Sequence, residues 1–383
     1  MTVDGSYFNN SFGLAGQPGD RTGVAPISLE AIEQVQVNIA PYDVRQGNFV
    51  GASVNTVTRS GGNKFFGSAS YQYQHQGLVG TEAGALTYNP GTFKYNRMTF
   101  SVGGPIIENK LFFFANYEGD ERTEPGTTFI AAAAPGITPA GNQTRVLASD
   151  LDNLSSFLKS NFGYETGPYQ GYNALTPAKR FLIKFDYNLD QRNKLTVRYN
   201  HLDSETDVLM SNSSSLGFGN RRSNLTGLNF KASNYTILEN IRSIVGEWSS
   251  IISDNMSNNL LVGYSFSDES RGDVGKLFPM VDILNGGSVY TSFGSEPFTP
   301  NNELRYWSYQ LQDNFTLARE DHFLTFGVSV ERYQSENVFF PGSQSVYIYN
   351  SMSDFYADAN AYKNNTTSTV RPSRFQVRWM NIP

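Results

Sequence analysis

The side chains that most often carry out catalysis are few in this sequence and are widely separated. Its three histidines, His75, His201 and His322, lie in different segments, and none is part of a metal-binding or triad-like motif. The chain contains no cysteine, so thiolate chemistry, disulfides and cysteine-bound zinc are excluded. We therefore expect no catalytic residue, no metal site and no cofactor, and we predict that the protein is not an enzyme.

Two acidic clusters resemble parts of cation sites. Residues 150–153, "DLDN", match the first half of a calcium loop but lack its glycine and its distant glutamate. Asp203, Glu205 and Asp207 could bind a cation from a loop. Neither cluster changes the expectation that the chain holds no metal.

The composition is unusual for its richness in aromatic residues. They make up 14% of the chain, with 28 Phe, 22 Tyr and 3 Trp, whereas charged residues make up only 17%. Mean hydropathy is −0.39, and no apolar run reaches the ~18 residues of a transmembrane helix. The strands of a membrane barrel need only one apolar face, so such a barrel stays possible. The net charge of −6 argues against a nucleic-acid-binding protein.

Several segments alternate strictly between apolar and polar residues. In residues 181–188, Phe, Ile, Phe and Tyr at odd positions alternate with Leu, Lys, Asp and Asn at even positions. Residues 195–200, 260–267 and 324–331 show a similar pattern. Alternation of this kind predicts β-strands with one apolar and one polar face.

The connections between these strands alternate in length. Short turns are expected at 103–110, 188–194, 252–259 and 317–322, where "GGP" (103–105) is interpreted as turn and not as a phosphate loop. Long polar stretches lie at 78–92, 121–177, 205–234, 269–302 and 337–370. Membrane barrels have tight periplasmic turns and long extracellular loops, whereas a β-sandwich has no reason to sort its loops by length. The sequence thus predicts an all-β, antiparallel, up-and-down transmembrane barrel.

The long connections contain local signals of their own. Leucines recur on one helical face between residues 147 and 158, Ser149 and Asp152 fit a capping box, and Gly163 fits a C-terminal stop. We predict a surface helix that orders its own loop. Residues 211–224 are rich in Ser, Gly and Asn and are expected to be mobile.

Residues 32–63 differ from the aromatic strands that follow them. "VQVNI" and "ASVNTVT" are strand-like segments with small or polar residues on both faces, as suits a compact domain inside a polar wall. The stretch "IEQVQVNIAPYDVRQGNFVGASVNTVTRSG" resembles the C-terminal part of the plug domain of TonB-dependent outer-membrane receptors. The family's motif positions are occupied by Gly47, Gly51, Asn55, Val57, Thr58 and Arg59. Ala52 and Ser53 depart from the second glycine that is usual in the family.

The finer resemblance is to the Oar-like branch of these receptors. It rests on "VDGSYFNNSFGLAGQPGDRTGVAPISLEAIEQVQV", on "TRSGGN", and on "GGPIIENKLFFFANYE" at 103–118. These motifs are specific to about residue 120 and diffuse beyond it.

The resemblance implies that the chain is a partial receptor. Family barrels have roughly 22 strands around a plugged lumen, and we count about ten strands here. We expect residues 1–62 to be the C-terminal part of the plug and residues 63–383 to be the N-terminal portion of the barrel. The start shows neither a signal peptide nor a TonB-contacting segment, and the end, "RFQVRWMNIP", resembles a strand cut in mid-course, so a fragment is predicted.

The resemblance also implies a solute site between apical plug loops and extracellular barrel loops. Residues with stacking faces or polar groups suited to a sugar or peptide are Tyr7, Phe8, Asn9, Asn10, Phe12, Asp20 and Arg21. The alternative is that these residues pack the plug against the wall. Arg45 and Arg59 are expected to anchor the plug on acidic residues of the lumen.

The implied function is solute uptake across the outer membrane of a Gram-negative bacterium. The TonB complex of the inner membrane would supply the energy that moves the plug, and a glycan, peptide or metal chelate would be the solute. The implied partners are this complex, outer-membrane lipid and the solute, with no nucleic acid. The alternative is a surface adhesion or assembly barrel without transport, which would have no use for a plug.

Overall fold

The computed structural model describes residues 1–10, 12, 17–40, 42–43, 45, 47, 51–87 and 91–379. These residues form a small N-terminal sheet, one large antiparallel sheet and a group of elements in the long connections, numbered in chain order. No helix in the described stretches is long and apolar enough to cross a membrane.

Residues 1–62, the N-terminal segment, contain a four-stranded sheet. In spatial order its strands are β2 (Ser6–Tyr7), β1 (Thr2–Val3), β4 (Ala52–Thr58) and β3 (Ile32–Ile39). β1 is parallel to β4, the other pairs are antiparallel, and a 3-10 turn at Leu29–Ala31 leads into β3. The strands predicted in "VQVNI" and "ASVNTVT" are confirmed.

Nine long strands form the wall, an antiparallel sheet in which each strand pairs with the next. They are β5 (Phe66–His75), β8 (Lys94–Ile107), β9 (Leu111–Pro125), β12 (Asn173–Asn188), β13 (Asn193–Val208), β15 (Asn240–Ser253), β16 (Met256–Asp268), β20 (Asn302–Arg319) and β21 (His322–Phe339). Among the described residues, β5 and β21 lie at the two ends and do not pair with each other. The predicted fold class, part of an antiparallel up-and-down barrel, is confirmed.

The wall buries its polar face and exposes its apolar face. In β12, Arg180 and Lys184 lie on the inner face, against the N-terminal segment, whereas Phe181 and Phe185 lie on the outer face. Phe185 is 42% exposed and Lys184 only 6%. The alternation predicted for residues 181–188 is confirmed, and a broad apolar outer surface is what a wall embedded in lipid requires.

Short and long connections alternate along the wall, as predicted. The short connections are residues 108–110, 189–192, 254–255 and 320–321. The long connections between wall strands are residues 76–93, 126–172, 209–239 and 269–301. Because outer-membrane barrels place short turns in the periplasm and long loops outside, we assign the two ends of the wall accordingly.

The glycine pair of "GGP" lies inside β8, so the prediction of a turn at 103–105 is wrong. A Cβ atom on Gly103 would lie 2.6 Å from the Phe66 ring, and one on Gly104 would lie 2.3 Å from the Phe65 ring. The two phenylalanine rings fill the space that side chains at positions 103 and 104 would occupy, so only glycine fits at these two positions. The turn itself follows at 108–110.

The long connections contain most of the remaining elements. The strands are β6 (Glu82–Ala83), β7 (Leu86–Thr87), β10 (Ile130–Ala132), β11 (Gln143–Leu147), β14 (Tyr235–Leu238), β17 (Arg271–Asp273), β18 (Met280–Asn285), β19 (Ser288–Phe293), β22 (Val346–Tyr349) and β23 (Arg374–Gln376). The helices are α1 (Ala148–Phe162), α2 (Met352–Lys363) and 3-10 turns at Gln76–Leu78 and Lys231–Ser233.

Four connections, residues 126–172, 209–239, 269–301 and 340–373, share one apolar core, and we call them the loop layer. The core includes Leu151, Leu154, Leu158, Phe230, Ile283, Phe293 and Phe355. β19, β18, β22 and β23 form a sheet in this order. β23 therefore lies beside β22 and not in the wall, which corrects the expected wall strand in "RFQVRWMNIP", whose residues 380–383 lie outside the described residues.

The predicted start of α1 is corrected, whereas its predicted end is confirmed. Leu147 precedes α1 without a side-chain cap, so the capping box of Ser149 and Asp152 is wrong, whereas Gly163, with φ of 63°, ends the helix as predicted. Residues 211–224 curl around Arg221, which is fully buried and binds Asp282 at 2.8 Å. The carbonyl oxygens of Ser211, Ser213 and Leu216 accept further hydrogen bonds from this guanidinium. The small residues of this stretch let its backbone pass close around the Arg221 side chain.

Candidate functional site

The N-terminal segment packs on the inner face of the wall through an apolar patch. Its buried side chains Val3, Phe8, Val24, Ile27 and Ala31 contact Phe114, Ala178, Leu182, Leu202 and Ile241 of the wall. Phe8, a candidate ligand residue, is therefore a packing residue in this state. Polar contacts lie around this patch.

Asp4 lies at the centre of one group of polar contacts. Its carboxylate accepts hydrogen bonds from the N–H and hydroxyl of Thr58 at 2.7 and 2.6 Å, and from Arg198 of the wall at 2.7 Å. The ammonium of Lys184 is 3.7 Å from Asp4 and donates to the Thr58 carbonyl at 3.2 Å. Both wall cations are buried, so Asp4 supplies the negative charge that they need.

Glu118 forms a second polar contact between the wall and the N-terminal segment. It accepts a hydrogen bond from the Ser28 hydroxyl at 2.5 Å and pairs with Arg180 at 2.5 Å and with Arg97 at 3.3 Å. Arg180 in turn donates to the carbonyl oxygen of Ala25. The wall thus presents both an acceptor and a donor to residues 25–28.

Glu239 holds the turn at residues 17–22 at the extracellular end of the wall. Its fully buried carboxylate accepts backbone hydrogen bonds from Gly19, from Arg21 at 3.0 Å and from Thr22 at 3.3 Å. Gly19 has φ of +96°, and a Cβ atom there would lie 2.1 Å from the Val24 carbonyl oxygen. Only glycine therefore lets three N–H groups converge on this carboxylate.

Glu269 binds the same part of the segment through side chains. Its buried carboxylate accepts hydrogen bonds from Arg21 at 3.2 Å, from Asn10 at 2.9 Å and from the Tyr306 hydroxyl at 2.6 Å. Two of the candidate ligand residues, Asn10 and Arg21, are thus brought together on Glu269, the residue that directly follows β16.

A polar cavity of about 1340 Å³ separates the segment from the wall at the periplasmic end. Tyr7 lines it, and the Tyr7 N–H is held by the side-chain oxygen of Gln310 at 3.1 Å. Charged residues of both signs line the cavity, namely Asp4, Asp43, Arg45, Glu108, Lys110, Asp190, Arg192, Lys194 and Glu247. A cavity of this volume exceeds the usual range of small-molecule pockets.

The remaining candidate ligand residues are dispersed. Asn9 accepts a hydrogen bond from the amino group of Met1 at 2.6 Å, and the exposed Asp20 accepts one from the Gln17 N–H at 2.7 Å. Phe12 is half-buried, and residues 13–16 of the expected loop lie outside the described residues. The seven candidates thus do not converge on one pocket in this state.

The expected anchoring of Arg45 and Arg59 on acidic wall residues is corrected. In the described contacts, Arg45 pairs with Asp43 at 2.7 Å and Arg59 lies 3.8 Å from Glu33. Both acids belong to the N-terminal segment. Asp43 is two residues from Arg45 in the chain, and Glu33 lies across the β3–β4 pair from Arg59, so each ion pair forms without ordering or burying a distant side chain. Arg45 contacts the wall through its carbonyl oxygen, which accepts from Gln312 at 2.9 Å.

The motif residues organise the segment itself. Asn55 accepts hydrogen bonds from the Thr2 hydroxyl at 2.8 Å and the Gly5 N–H at 3.2 Å, and so fixes the turn that carries Asp4. Gly51 has φ of +77°, and a Cβ atom on Gly47 would lie 3.3 Å from the Tyr7 hydroxyl. Thr58 binds Asp4 as described above.

The residues of the wall and of its extracellular connections that hold the segment are absent from the sequence-based candidates. They are Glu118, Arg180, Lys184, Arg198, Glu239, Glu269 and Gln310. Those within alternating strands could have been found, because a charged residue on the polar face of a barrel strand points at whatever fills the lumen.

Asp203 and Asp207, considered for metal binding, have other partners. Asp203 pairs with His201 at 2.8 Å and with Arg242, and Asp207 accepts from the Leu175 N–H at 2.9 Å. Within the described part of the chain, no group of three or more metal-ligating side chains is arranged to hold an ion.

A lipid-facing antiparallel wall whose polar inner face holds a separate folded segment defines an outer-membrane β-barrel protein. The chain belongs to the outer membrane beta barrel domain family, whose model matches residues 57–380. The protein is located in the outer membrane of a Gram-negative bacterium.

Two relatives agree with this assignment. Over 203 residues the chain is 23% identical to the TonB-dependent transporter Oar of Myxococcus xanthus, covering 50% of this chain and 18% of Oar. The crystal structure of the outer membrane transporter YddB from Escherichia coli matches 91% of this chain and 42% of YddB, with a TM-score of 0.57 and 12% identity. The chain thus spans less than half the length of either relative.

Proposed function

We propose that this chain is part of a TonB-dependent outer-membrane transporter. Residues 1–62 act as part of the plug and residues 63–383 as part of the barrel wall and its extracellular loops. Solute passes when the TonB complex of the inner membrane, using the energy of that membrane, shifts the plug from the inner face. The likeness to Oar supports this proposal.

The observation that carries the proposal is how the N-terminal segment is held. Asp4 and Ser28 bind wall residues, and Arg21 binds Glu269 next to the wall, through hydrogen bonds and ion pairs around a limited apolar patch. When such contacts separate into a hydrated lumen, water replaces each hydrogen bond at a net cost of only about 1 kcal/mol. An interface of this kind suits a segment that must be released and returned.

We further propose that the solute is a glycan, a peptide or a metal chelate that enters from the extracellular end. Phe8, Asn10 and Arg21 are engaged with the wall in this state, so they become available to a solute only after the segment moves. Asp20 is exposed in this state, whereas Tyr7 faces the cavity at the periplasmic end.

Thiol labelling in living cells tests the proposal without knowledge of the solute, because the chain has no native cysteine. Thr22 is 2% exposed and its hydroxyl lies 2.9 Å from that of Ser204 in the wall. In energised cells, a Thr22→Cys variant should react several-fold faster with a membrane-impermeant maleimide than in cells treated with a protonophore. Asp20→Cys, in the exposed part of the same turn, should react at the same rate in both.

The comparison should be repeated in cells that lack TonB, where labelling of Thr22→Cys should stay slow. Labelling that is indifferent to both the protonophore and TonB would contradict energised movement. The protein would then be better explained as a static adhesion or assembly barrel.

A further inference from the structure

The turn at residues 17–22 presents a set of donors that suits an anion. The backbone N–H groups of Gly19, Arg21 and Thr22 converge on the carboxylate of Glu239. The guanidinium of Arg21 adds a charged donor, which binds Glu269 at 3.2 Å. Converging backbone N–H groups and guanidinium groups are two means by which proteins bind carboxylates and phosphates. The turn is therefore an anion-binding loop whose anion, in this state, is a side chain of the protein itself.

The backbone around Glu239 is fixed to the wall and to its connections. The Glu239 N–H donates to the Ser204 carbonyl oxygen at 2.9 Å, and the Ser204 hydroxyl donates to the Glu239 carbonyl oxygen at 2.8 Å. The preceding N–H, that of Leu238, donates to the Ser270 carbonyl oxygen at 2.9 Å. When the N-terminal segment moves, Glu239 therefore stays behind, and the donors of the turn lose their acceptor.

Glu239 carries its charge in an unfavourable place. No cationic side chain of the described residues lies within 4.0 Å of its buried carboxylate. Burial raises the pKa of the Glu239 carboxyl, and the charge of Glu269 raises it further, despite the hydrogen bonds from the turn. Departure of the turn would also remove Arg21 from Glu269. The two carboxylates therefore draw the turn back, in competition with any other anion bound to it.

A pocket of about 280 Å³ beside the turn also suits an anion. Two arginines and three aromatic residues line it, namely Arg222, Arg271, Tyr235, Phe298 and Phe339. In the described part of the chain no carboxylate lies within 4.0 Å of either arginine, and the Arg271 Nε is buried without a hydrogen-bond partner. The charges of both arginines and of Arg21 act on the Tyr235 hydroxyl, so the pocket adjoins the turn. An acidic solute is attracted to such a place.

We propose that Glu239 occupies, in the resting state, a site that takes a carboxylate of the solute once the segment has moved. The N–H groups of Gly19, Arg21 and Thr22 and the Arg21 guanidinium then bind that carboxylate, and Glu239 and Glu269 displace it when the segment returns. The solute is accordingly a carboxylate-bearing glycan, peptide or chelate. This inference rests on the proposed function, because it needs a segment that moves, but the donor set can be tested without movement.

Chemical rescue tests the donor set in the purified full chain in detergent, where no energy source is present. Glu239→Ala removes the carboxylate and leaves a space that formate can fill. Amide hydrogen exchange of a peptide covering residues 17–24 should become about tenfold faster in this variant, because a hydrogen bond to a charged acceptor contributes about that factor. Sodium formate should then slow the exchange several-fold, in a saturable way, by taking the place of the Glu239 carboxylate.

Three comparisons identify the effect as binding of an anion at the turn. Formamide, which is neutral and close in size to formate, should not slow the exchange, and neither should sodium chloride at equal ionic strength. Glu239→Gln is the matched variant: its amide fills the space of the carboxylate, so its exchange should not respond to formate. Unchanged exchange of β13 and β15 verifies that each variant is folded, and Glu239→Ser replaces Glu239→Ala if the latter does not fold.

Labelling of Thr22→Cys in energised cells then indicates which kind of acid is carried. Glucuronate, citrate and an acetylated dipeptide with a free carboxylate represent the three solute classes. Glucose, triethyl citrate and the amide of the same dipeptide are their uncharged counterparts. At least one of the acids should slow the labelling several-fold by occupying the turn, whereas its counterpart should not.

The two measurements separate this inference from the transport proposal. Absence of a formate effect in Glu239→Ala, or an equal effect in Glu239→Gln, would overturn the assigned donor set. Slower labelling by none of the acids, in cells whose labelling does depend on energy, would overturn the assignment of a carboxylate-bearing solute. Labelling that does not depend on energy would instead contradict transport, while rescue by formate would still support the donor set.

Discussion

Asp4 adopts a left-handed backbone conformation, with φ of 45°, in the turn between β1 and β2. Asparagine and aspartate tolerate this conformation better than other residues with a side chain. The turn directs the carboxylate toward Arg198 and Lys184, whose side chains are buried on the inner face. At the residue scale, the attachment of the segment thus depends on one carboxylate, Asp4, that meets two buried cations of the wall.

Replacing Asp4 tests this dependence. Asp4→Ala leaves Arg198 and Lys184 buried without their counter-charge, which should weaken docking of the N-terminal segment by about 3–5 kcal/mol. Protease digestion across a urea series measures the effect. Residues 1–62 should become cleavable at a lower urea concentration in Asp4→Ala than in the parent protein. Glu33, the partner of Arg59, has a side chain that is 66% exposed. Glu33→Ala should therefore weaken docking of the N-terminal segment by less than about 1 kcal/mol. Equal shifts for the two variants would contradict the role assigned to Asp4.

The sequence predicts the residues of the segment better than their partners. Asn55 and Thr58 could be identified because motif spacing is local. Lys184 and Arg198 could be assigned to the polar face of their strands by alternation. Their contact with Asp4 could not be predicted, because it depends on where the segment docks, nearly two hundred residues away in the chain.

At the scale of elements, wall strands could be predicted because a period of two residues is a property of each strand alone. The exceptions arise from tertiary contacts. "GGP" reads as a turn locally but is a strand segment covered by Phe65 and Phe66. α1 starts at Ala148, one residue before the predicted cap Ser149. The position of the helix is determined by its leucines, which pack in the core of the loop layer.

The loop layer should become less stable as the pH rises above 4.5. Burial raises the pKa of the Glu296 carboxyl, despite hydrogen bonds from Thr299 and the Phe298 N–H. The folded layer therefore keeps this proton to a higher pH than the unfolded chain does, so unfolding is favoured as the pH rises from 4.5 through the folded pKa. Amide hydrogen exchange of β18 and β19, corrected for intrinsic rates, should show this loss of protection.

Glu296→Gln provides the comparison, since it cannot ionise. Its protection should vary less between pH 4.5 and 7.5, with a residual slope from Asp273, whose pKa burial also raises. An identical pH dependence in the parent and the variant would show that Glu296 does not control the stability of the layer.

At the scale of the whole molecule, the wall and the N-terminal segment are held by different means. Continuous ladders of backbone hydrogen bonds join the nine wall strands. The segment is held on the wall by side chains and by a small apolar patch. The two parts should therefore respond separately to denaturant.

A disulfide between the segment and the wall should abolish this separation. Thr22→Cys with Ser204→Cys joins two positions whose hydroxyl oxygens are 2.9 Å apart. In the reduced double variant, residues 1–62 should become cleavable at a urea concentration that leaves the wall intact. Once the disulfide has formed, these residues should stay protected until the wall itself unfolds. Thr176→Cys with Thr206→Cys, 2.7 Å apart within the wall, is the control and should not protect the segment. Simultaneous loss of both parts in the reduced protein would contradict the prediction.

The shared core of the loop layer has a consequence for whatever meets the cell from outside. Its side chains come from four stretches of chain that are far apart in sequence. A host antibody or a phage tail fibre therefore meets an epitope assembled from several stretches, which a peptide copied from one of them does not reproduce. Substitutions that evade such recognition are confined to the exposed positions, because a change in the core of one stretch disturbs the surface presented by the other three.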